Sequence, residues 1–395
     1  MLKLKANPPQ SPFIIVVDAL DECEGDNDIR AILQLLVELN GHDTTRPYIF
    51  ITSRPDTPLR LGFRAMPGIV YHDLVLHDVP RAIVDQDISV FFKVKFREIR
   101  DDFEDIAADW PGDEKIDLLV KRAQGLFIYA ATVYRFVKGD DQWSPQDLLH
   151  LFLPSDGSDR HHDWKHDIPC TSPTWELDEI YTQILQHSFK NVIDQRNKDK
   201  LAKMFRQVIG SLSILLEPLS ATALAKLLNI RLESINSTLR HLHSVLNIPK
   251  DQGAPIRLLH PSFRDFVLDK QRCRDQALWV DKRQQHKALA QCCVRLMSSK
   301  LGRDICGVRA PGSLAQGVDS GRLEQYIPPE VQYACLYWVQ HFQKSGAQLY
   351  DGDQVHWFLR EHLLHWLEAL SWMGKTSEGI LAILSLETQI PVSLY

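Results

Sequence analysis

The stretch Ile14-Ile15-Val16-Val17-Asp18-Ala19-Leu20-Asp21-Glu22-Cys23 constrains this chain more than any other. Four successive apolar residues have no polar face. They read as a strand covered on both sides, which is the habit of a parallel sheet in an α/β domain. Ligands of such sheets sit beyond the carboxyl ends of the strands, where Asp18, Asp21 and Glu22 fall. Three acids so close together repel one another unless a cation or a division of roles relieves them. This is the pattern of a Walker B element. Asp18 is the expected Mg²⁺ ligand, directly or through water. Asp21 or Glu22 is expected to orient or deprotonate a water facing a γ-phosphate.

The residues that follow support a strand–helix–strand unit. Glu24-Gly25-Asp26-Asn27 is turn chemistry, and Asp28 can cap a helix through Leu39 with Ile29, Ile32, Leu33, Leu36 and Leu39 on one side. Asn40-Gly41 ends it, and Tyr48-Ile49-Phe50-Ile51-Thr52 is a second strand leading to Ser53-Arg54-Pro55. A crossover of this kind brings Arg54 to the same sheet edge as Asp18. An Arg there can reach a terminal phosphate; the plainer reading is a surface Arg at a strand end. Ile69 to Val79 alternates weakly and is expected to form a third strand.

The chain has 395 residues, enough for two or three domains. A net charge of −6 argues against a general electrostatic grip on nucleic acid. Seven cysteines without CxxC pairs point to reduced thiols and a cytoplasmic setting. No apolar run is long enough to cross a membrane. The start, Met1 to Ser11-Pro12, reads as a linker and not as a signal.

Further along, Arg81 to Arg100 reads as a helix whose basic residues are balanced by acids, a solvated mixed-charge face. Lys115 to Val137 holds a helix pair around Gln124-Gly125-Leu126-Phe127. Asp140 to Thr174 is rich in Pro, Gly, Ser, Asp and His and marks a boundary. Its run His161-His162-Asp163-Trp164-Lys165-His166 lacks metal-ligand spacing and reads as a polar linker. From Trp175 onward the pattern is helical. Ala221 to Leu228, Leu232 to Leu246 and a following hairpin have the order of a winged helix, with too little positive charge for a DNA reader. His260 sits where the hairpin's second strand meets a helix started by Pro261. A helix is expected from Arg274 to Lys300, then a loop at Gly302 to Gly321 and aromatic-rich helices to the end. The only Gly-Lys-Thr is Gly374-Lys375-Thr376, which follows a helix and not a strand, so Gly374 is a helix stop and not part of a phosphate loop.

Four motifs occur in order: Val16 to Cys23, Phe50-Ile51-Thr52-Ser53-Arg54-Pro55, Ala123-Gln124-Gly125-Leu126-Phe127-Ile128-Tyr129-Ala130, and Leu259-His260-Pro261-Ser262-Phe263-Arg264-Asp265-Phe266. Together they resemble the fungal NACHT proteins of the STAND NTPase class, described as having a nephrocystin-like N-terminal domain. Relatives include heterokaryon-incompatibility and NACHT–WD-repeat proteins. The resemblance implies a P-loop NTPase that holds ADP when closed, exchanges it for ATP and oligomerises to signal. By position, it implies Asp18 as the Mg²⁺ ligand, Asp21 and Glu22 as water-activating acids, and Arg54 as phosphate sensor. It implies that His260 reaches the β-phosphate in the closed state. At the adenine-side motif the chain has Gly125-Leu126-Phe127-Ile128, without the family's proline.

The fold class expected is therefore an α/β remnant of a parallel-sheet NTPase domain, a winged helix and an all-α region. The divisions expected are 1–140 for the NTPase part with its helical extension, 141–174 for a linker, 175–270 for the helical and winged-helix part, and 271–395 for helices preceding a repeat array. No GxxxxGK[ST] segment precedes the first strand, since thirteen residues lie ahead of it. The function expected is that of a fragment of a nucleotide-dependent signalling switch, deficient in ATP binding. Mg²⁺ and ATP or ADP belong to the complete site, and the partners expected are further copies or full-length homologues. The alternatives are a nucleotide-independent scaffold pairing with such homologues and, behind it, a winged-helix DNA binder.

Overall fold

The structure is a computed structural model that describes residues 13–23, 26–40, 47–54, 72, 74–139, 143–153, 174–189, 194–308 and 320–390. The histidine run 161–166 and most of the expected linker lie outside them. The chain divides into two compact units, Met1–Val79 and Pro80–Tyr395.

In the first unit, β1 (Ile14–Val17) and β2 (Tyr48–Ile51) pair in parallel, with Ile14 opposite Tyr48 and Val17 opposite Ile51. Helix α1 (Asp26–Asn40) connects them. One sheet face packs Val17 and Ile51 on Leu20, Ile29 and Leu33, a small core of its own. The other face does not match the expectation of cover on both sides. Ile14, Val16, Tyr48 and Phe50 are 58–69% exposed. Because the side chains of a strand alternate, a single helix can bury only one of the two apolar sets. Leu39, expected on the buried stripe of α1, is also exposed. The expected third strand is absent among the described residues. Residues 69–71 and 73 lie outside them, and Leu76–Asp78 forms a 3-10 turn with Leu74 and Leu76 exposed.

The second unit is helical. Helices α2 (Arg81–Asp102), α3 (Asp113–Ala123), α4 (Phe127–Lys138), α5 (Pro145–His150) and α6 (Trp175–Ser188) lead into α7 (Gln195–Ile214). Phe92 and Phe96 stack with ring centroids 5.4 Å apart, and Trp110 meets Phe96 edge-on. The basic residues of α2 are balanced as expected: Lys93 pairs with Asp113 and Lys95 with Glu98. Helices α8 (Ala221–Leu228) and α9 (Leu232–Leu239) precede a two-stranded antiparallel hairpin, β3 (Leu246–Asn247) and β4 (Arg257–Leu258). The second of these helices stops seven residues before its expected end at Leu246. Leu242 and Val245 donate backbone bonds three residues back, to Leu239 and Leu242, and this tightened chain delivers Leu246 to the hairpin.

Helix α10 (Pro261–Leu268) follows the hairpin, and α11 (Lys282–Lys300) starts eight residues later than expected. Between them the carboxylates of Asp269, Asp275 and Asp281 each accept a backbone N–H two or three residues ahead. Those local bonds compete with a continuous helix. Helices α12 (Ser320–Tyr326), α13 (Pro329–Lys344), α14 (Gln354–Trp372) and α15 (Thr376–Glu387) complete the chain. Helix α11 packs along α13, burying Leu289, Cys293, Ala334 and Cys335. The indole of Trp366 donates to the carbonyl of Cys335 at 2.9 Å and lies edge-on to Trp338. Gly374, with φ 68°, stops α14 as the sequence suggested, and Lys375 pairs with Glu378.

Candidate functional site

Two parallel strands ending side by side set the acidic turn of the first unit. The N–H of Thr52 donates to the carbonyl of Val17, and the N–H of Leu20 to the carbonyl of Thr52, both at 2.9 Å. Between these bonds Ala19 takes a left-handed conformation, φ 53°. That conformation costs an L-residue about 1 kcal/mol, and it turns the chain into the 3-10 segment Leu20–Glu22. The hydroxyl of Thr52 clasps the turn. It accepts the Ala19 N–H at 2.8 Å and donates to Oδ1 of Asp18.

Asp21 is held differently. Its Oδ1 accepts the backbone N–H of Arg54 at 3.0 Å, and its Oδ2 lies 3.4 Å from the Arg54 Nε. The Asp21 side chain is 10% exposed and that of Arg54 is 42% exposed. The structure therefore brings Asp18, Asp21 and Arg54 together at the carboxyl ends of β1 and β2. Glu22 lies in the same turn, and its side chain is outside the described residues. Two roles in this arrangement were not assigned from the sequence. Thr52 is the hub of the turn, and Arg54 is the partner of Asp21. A Thr ending one strand of a parallel pair, opposite an acid ending the other, was the available signal.

An exposed carboxylate beside a hydroxyl is a hard-oxygen environment of the kind Mg²⁺ accepts, with water completing its shell. Asp18 fits that role. Asp21, already bonded to Arg54, offers less of its carboxylate. Among the described residues no group of three or more His, Cys, Asp or Glu is arranged to hold a metal ion.

His260 belongs to the second unit. It is the N-cap of α10, with its Nδ1 accepting the backbone N–H of Ser262 at 3.2 Å. The Ser262 hydroxyl lies 2.6 Å from the same nitrogen and 2.8 Å from the hydroxyl of Tyr181 on α6. Neither Ser262 nor Tyr181 was singled out from the sequence. At the third motif, Gln124 and Gly125 both take positive φ, 49° and 75°, and turn the chain from α3 into α4. Arg81 packs over this turn.

Comparison with known proteins adds two findings. Residues 1–54 match the family Nephrocystin 3, N-terminal. Over 239 residues the chain is 27% identical to the vegetative incompatibility protein HET-E-1 of Podospora anserina, covering 54% of this chain and 16% of that protein. Over those residues the chain is similar to nephrocystin-like and vegetative-incompatibility proteins. The family match spans β1, the acidic turn, β2 and Arg54. The matched part of the chain spans about a sixth of the curated protein it resembles. Among its described residues no helix is long and apolar enough to cross a membrane.

Proposed function

We propose that this chain is part of a STAND-type, nucleotide-dependent signalling switch and supplies the acidic wall of its nucleotide site. The convergence of Asp18, Asp21 and Arg54 at the ends of two parallel strands carries this reading. Asp18, clasped by Thr52, is the group that would hold Mg²⁺, and Mg²⁺ when bound would neutralise charge on the phosphates. Asp21 and Glu22 are the acids that would orient water. Arg54, resting on Asp21, is the group that would turn to a terminal phosphate, and its release would free Oδ2 of Asp21 at the same moment.

The 395 residues contain no GxxxxGK[ST] loop. We propose accordingly that the chain by itself holds Mg-ATP only weakly. The order α8, α9, β3, β4 supports a winged helix in a structural and not a DNA-binding role. Calorimetric titration of the chain with Mg-ATP tests the site. Dissociation weaker than micromolar, abolished by Asp18→Ala, is the expected result. Micromolar binding by this chain would overturn the weak-binding reading, and binding indifferent to Asp18→Ala would overturn the role of Asp18.

A second reading rests on the exposed apolar set Ile14, Val16, Tyr48 and Phe50. A nucleotide-independent scaffold would use such a face to pair with a full-length homologue. Co-purification with a homologue, lost in Val16→Glu, would favour it; a clean monomer on cross-linking would count against it.

A further inference from the structure

Helix α14 carries His362 and His365 three residues apart, a spacing that puts both rings on one face of the helix. Their Nδ1 atoms lie 3.2 Å apart, with ring centroids 5.4 Å apart and planes inclined by 60°. Two nitrogens bound to one tetrahedral metal ion, each at about 2.0–2.1 Å, stand about 3.3 Å from one another. The two rings therefore already hold the separation that a shared ion needs, and both residues are only partly covered. His286 on α11 and His341 on α13 make the contrast: their Nδ1 atoms, 2.8 Å apart, are closer than two such ligands stand, and both rings are buried.

Two neighbours prepare the pair. The His362 ring stacks on Phe358 one turn earlier, with centroids 5.9 Å apart and planes inclined by 17°, which limits its rotation. Its other nitrogen, Nε2, stands 4.0 Å from Oε2 of Glu361. A carboxylate in that place accepts the Nε2 hydrogen, leaves Nδ1 bare and makes it more basic. Metal-bound histidines commonly have such an outer partner. The Glu361 side chain is 65% exposed, so it can close the gap without disturbing the core. Among the described residues no group of three or more His, Cys, Asp or Glu is arranged to hold an ion, so water would fill the remaining positions.

We propose that His362 and His365 form a two-histidine site for a borderline divalent ion such as Zn²⁺, Ni²⁺ or Cu²⁺, bound through both Nδ1 atoms, with Glu361 as a positioning residue for His362. Imidazole nitrogen suits these ions, whereas Mg²⁺ and Ca²⁺ take oxygen ligands. In the ion-free pair, one Nδ1 carries the hydrogen that lies between the rings. On binding, that ring takes up its hydrogen at Nε2 instead, by exchange with solvent. Both Nδ1 lone pairs then reach the ion, and no net proton is released. The proposal is independent of the nucleotide reading, because its residues and its class of ion are different.

Calorimetric titration of the full chain with zinc chloride tests the site. The run His161 to His166 can take up Zn²⁺ of its own, so the quantity read is the difference between proteins. The wild type is expected to bind one equivalent of Zn²⁺ that His362→Gln and His365→Gln each lose. The two variants sit on different rings, so the test stays decisive if one of them fails to fold. Melting without metal identifies that case. Glu361→Gln is expected to keep the equivalent and weaken it by about tenfold, the effect of removing an outer partner of a metal-bound histidine. Zn²⁺ uptake equal in the wild type and in a folded Gln variant would overturn the site and leave the pair a ring-to-ring hydrogen bond only. An affinity indifferent to Glu361→Gln would overturn the role of Glu361.

Discussion

The Nδ1 atoms of His286 on α11 and His341 on α13 lie 2.8 Å apart, with both rings buried. The Tyr333 hydroxyl meets the other nitrogen of His341 at 2.7 Å and accepts the Leu216 N–H. A contact of that length holds one hydrogen, so the pair is stable with both rings neutral. A further proton would place a buried cation there. Burial is the main cause that lowers His286 to about 4 and His341 to about 3, helped by Lys344 and Lys282 for the first and by His286 and Lys344 for the second. Their folded pKa values lie below the ordinary 6.5, so the unfolded chain binds more protons than the folded one as pH falls below that value. Stability of the second unit is therefore complete above 6.5 and is lost as pH falls toward 4. Each histidine contributes a slope of up to about 1.4 kcal/mol per pH unit. Urea unfolding followed by tryptophan fluorescence, to which the buried Trp338 and Trp366 contribute, should show the midpoint falling steeply across that window. Replacing both histidines should flatten the profile.

The guanidinium of Arg272 donates to Asp178 through Nε, which lies 3.1 Å from both carboxylate oxygens, and through Nη2 at 2.6 Å. This ties α6 to the turn that follows α10. Both side chains are well covered, 21% and 13% exposed. Burial pushes the Asp178 carboxyl up and Arg272 pulls it back down. Arg272→Ala leaves that carboxylate desolvated and unpaired, at a cost of about 3 kcal/mol. Arg272→Lys should recover only part of it, because an ammonium cannot reproduce the two-pronged geometry. Equilibrium denaturation of the three proteins measures both differences.

The acidic turn was legible because an apolar run that ends in charge is a local pattern. The runs Ile14 to Val17 and Tyr48 to Ile51 identify themselves, and their parallel pairing brings Asp18 and Arg54 to one edge. What pairs at a distance was not legible. Tyr181 and Ser262 are 81 residues apart, His286 and His341 are 55 apart, and nothing near any of them in sequence indicates its partner. The misplaced start of α11 had a different origin. Arg274 to Val280 holds no Gly or Pro to break a helix, but Asp275 and Asp281 spend their carboxylates on nearby amides. Side-chain competition of this kind is invisible to periodicity. Exposure of the Ile14, Val16, Tyr48 and Phe50 face was likewise hidden, since a strand's composition does not say what covers it.

A side chain at Gly125 should be destabilising. Its φ of 75° lies in the region that L-residues avoid, and an added Cβ would stand 3.2 Å from Nη1 and 3.3 Å from Cζ of Arg81. Arg81 is half exposed and its Nε pairs only with Asp85 one turn on, so it can give way and the backbone conformation carries most of the penalty. Gly125→Ala is expected to cost about 1–2 kcal/mol. The preceding Gln124 is also left-handed but carries a side chain already, so Gln124→Gly relieves strain and should be neutral or slightly stabilising. Thermal melts of the two variants should move in opposite directions or leave only the first displaced.

The Asp21–Arg54 contact combines a charge pair with a backbone bond, and substitutions separate the two. Asp21→Asn keeps an oxygen for the Arg54 N–H and removes only the charge. With Arg54 42% exposed, solvent screens the ion pair, and its loss should cost no more than about 1 kcal/mol. That loss should shrink in high salt, where exposed charges no longer feel one another. Asp21→Ala removes the acceptor as well and leaves an amide near the strand end without its partner, adding about 1 kcal/mol that salt does not change. Hydrogen exchange reads this locally, through the Thr52 and Leu20 amides that close the turn between β1 and β2. Both should lose protection in the order wild type, Asn, Ala. If Asn and Ala are equivalent and both respond to salt, the backbone bond contributes nothing and the turn is held by charge alone.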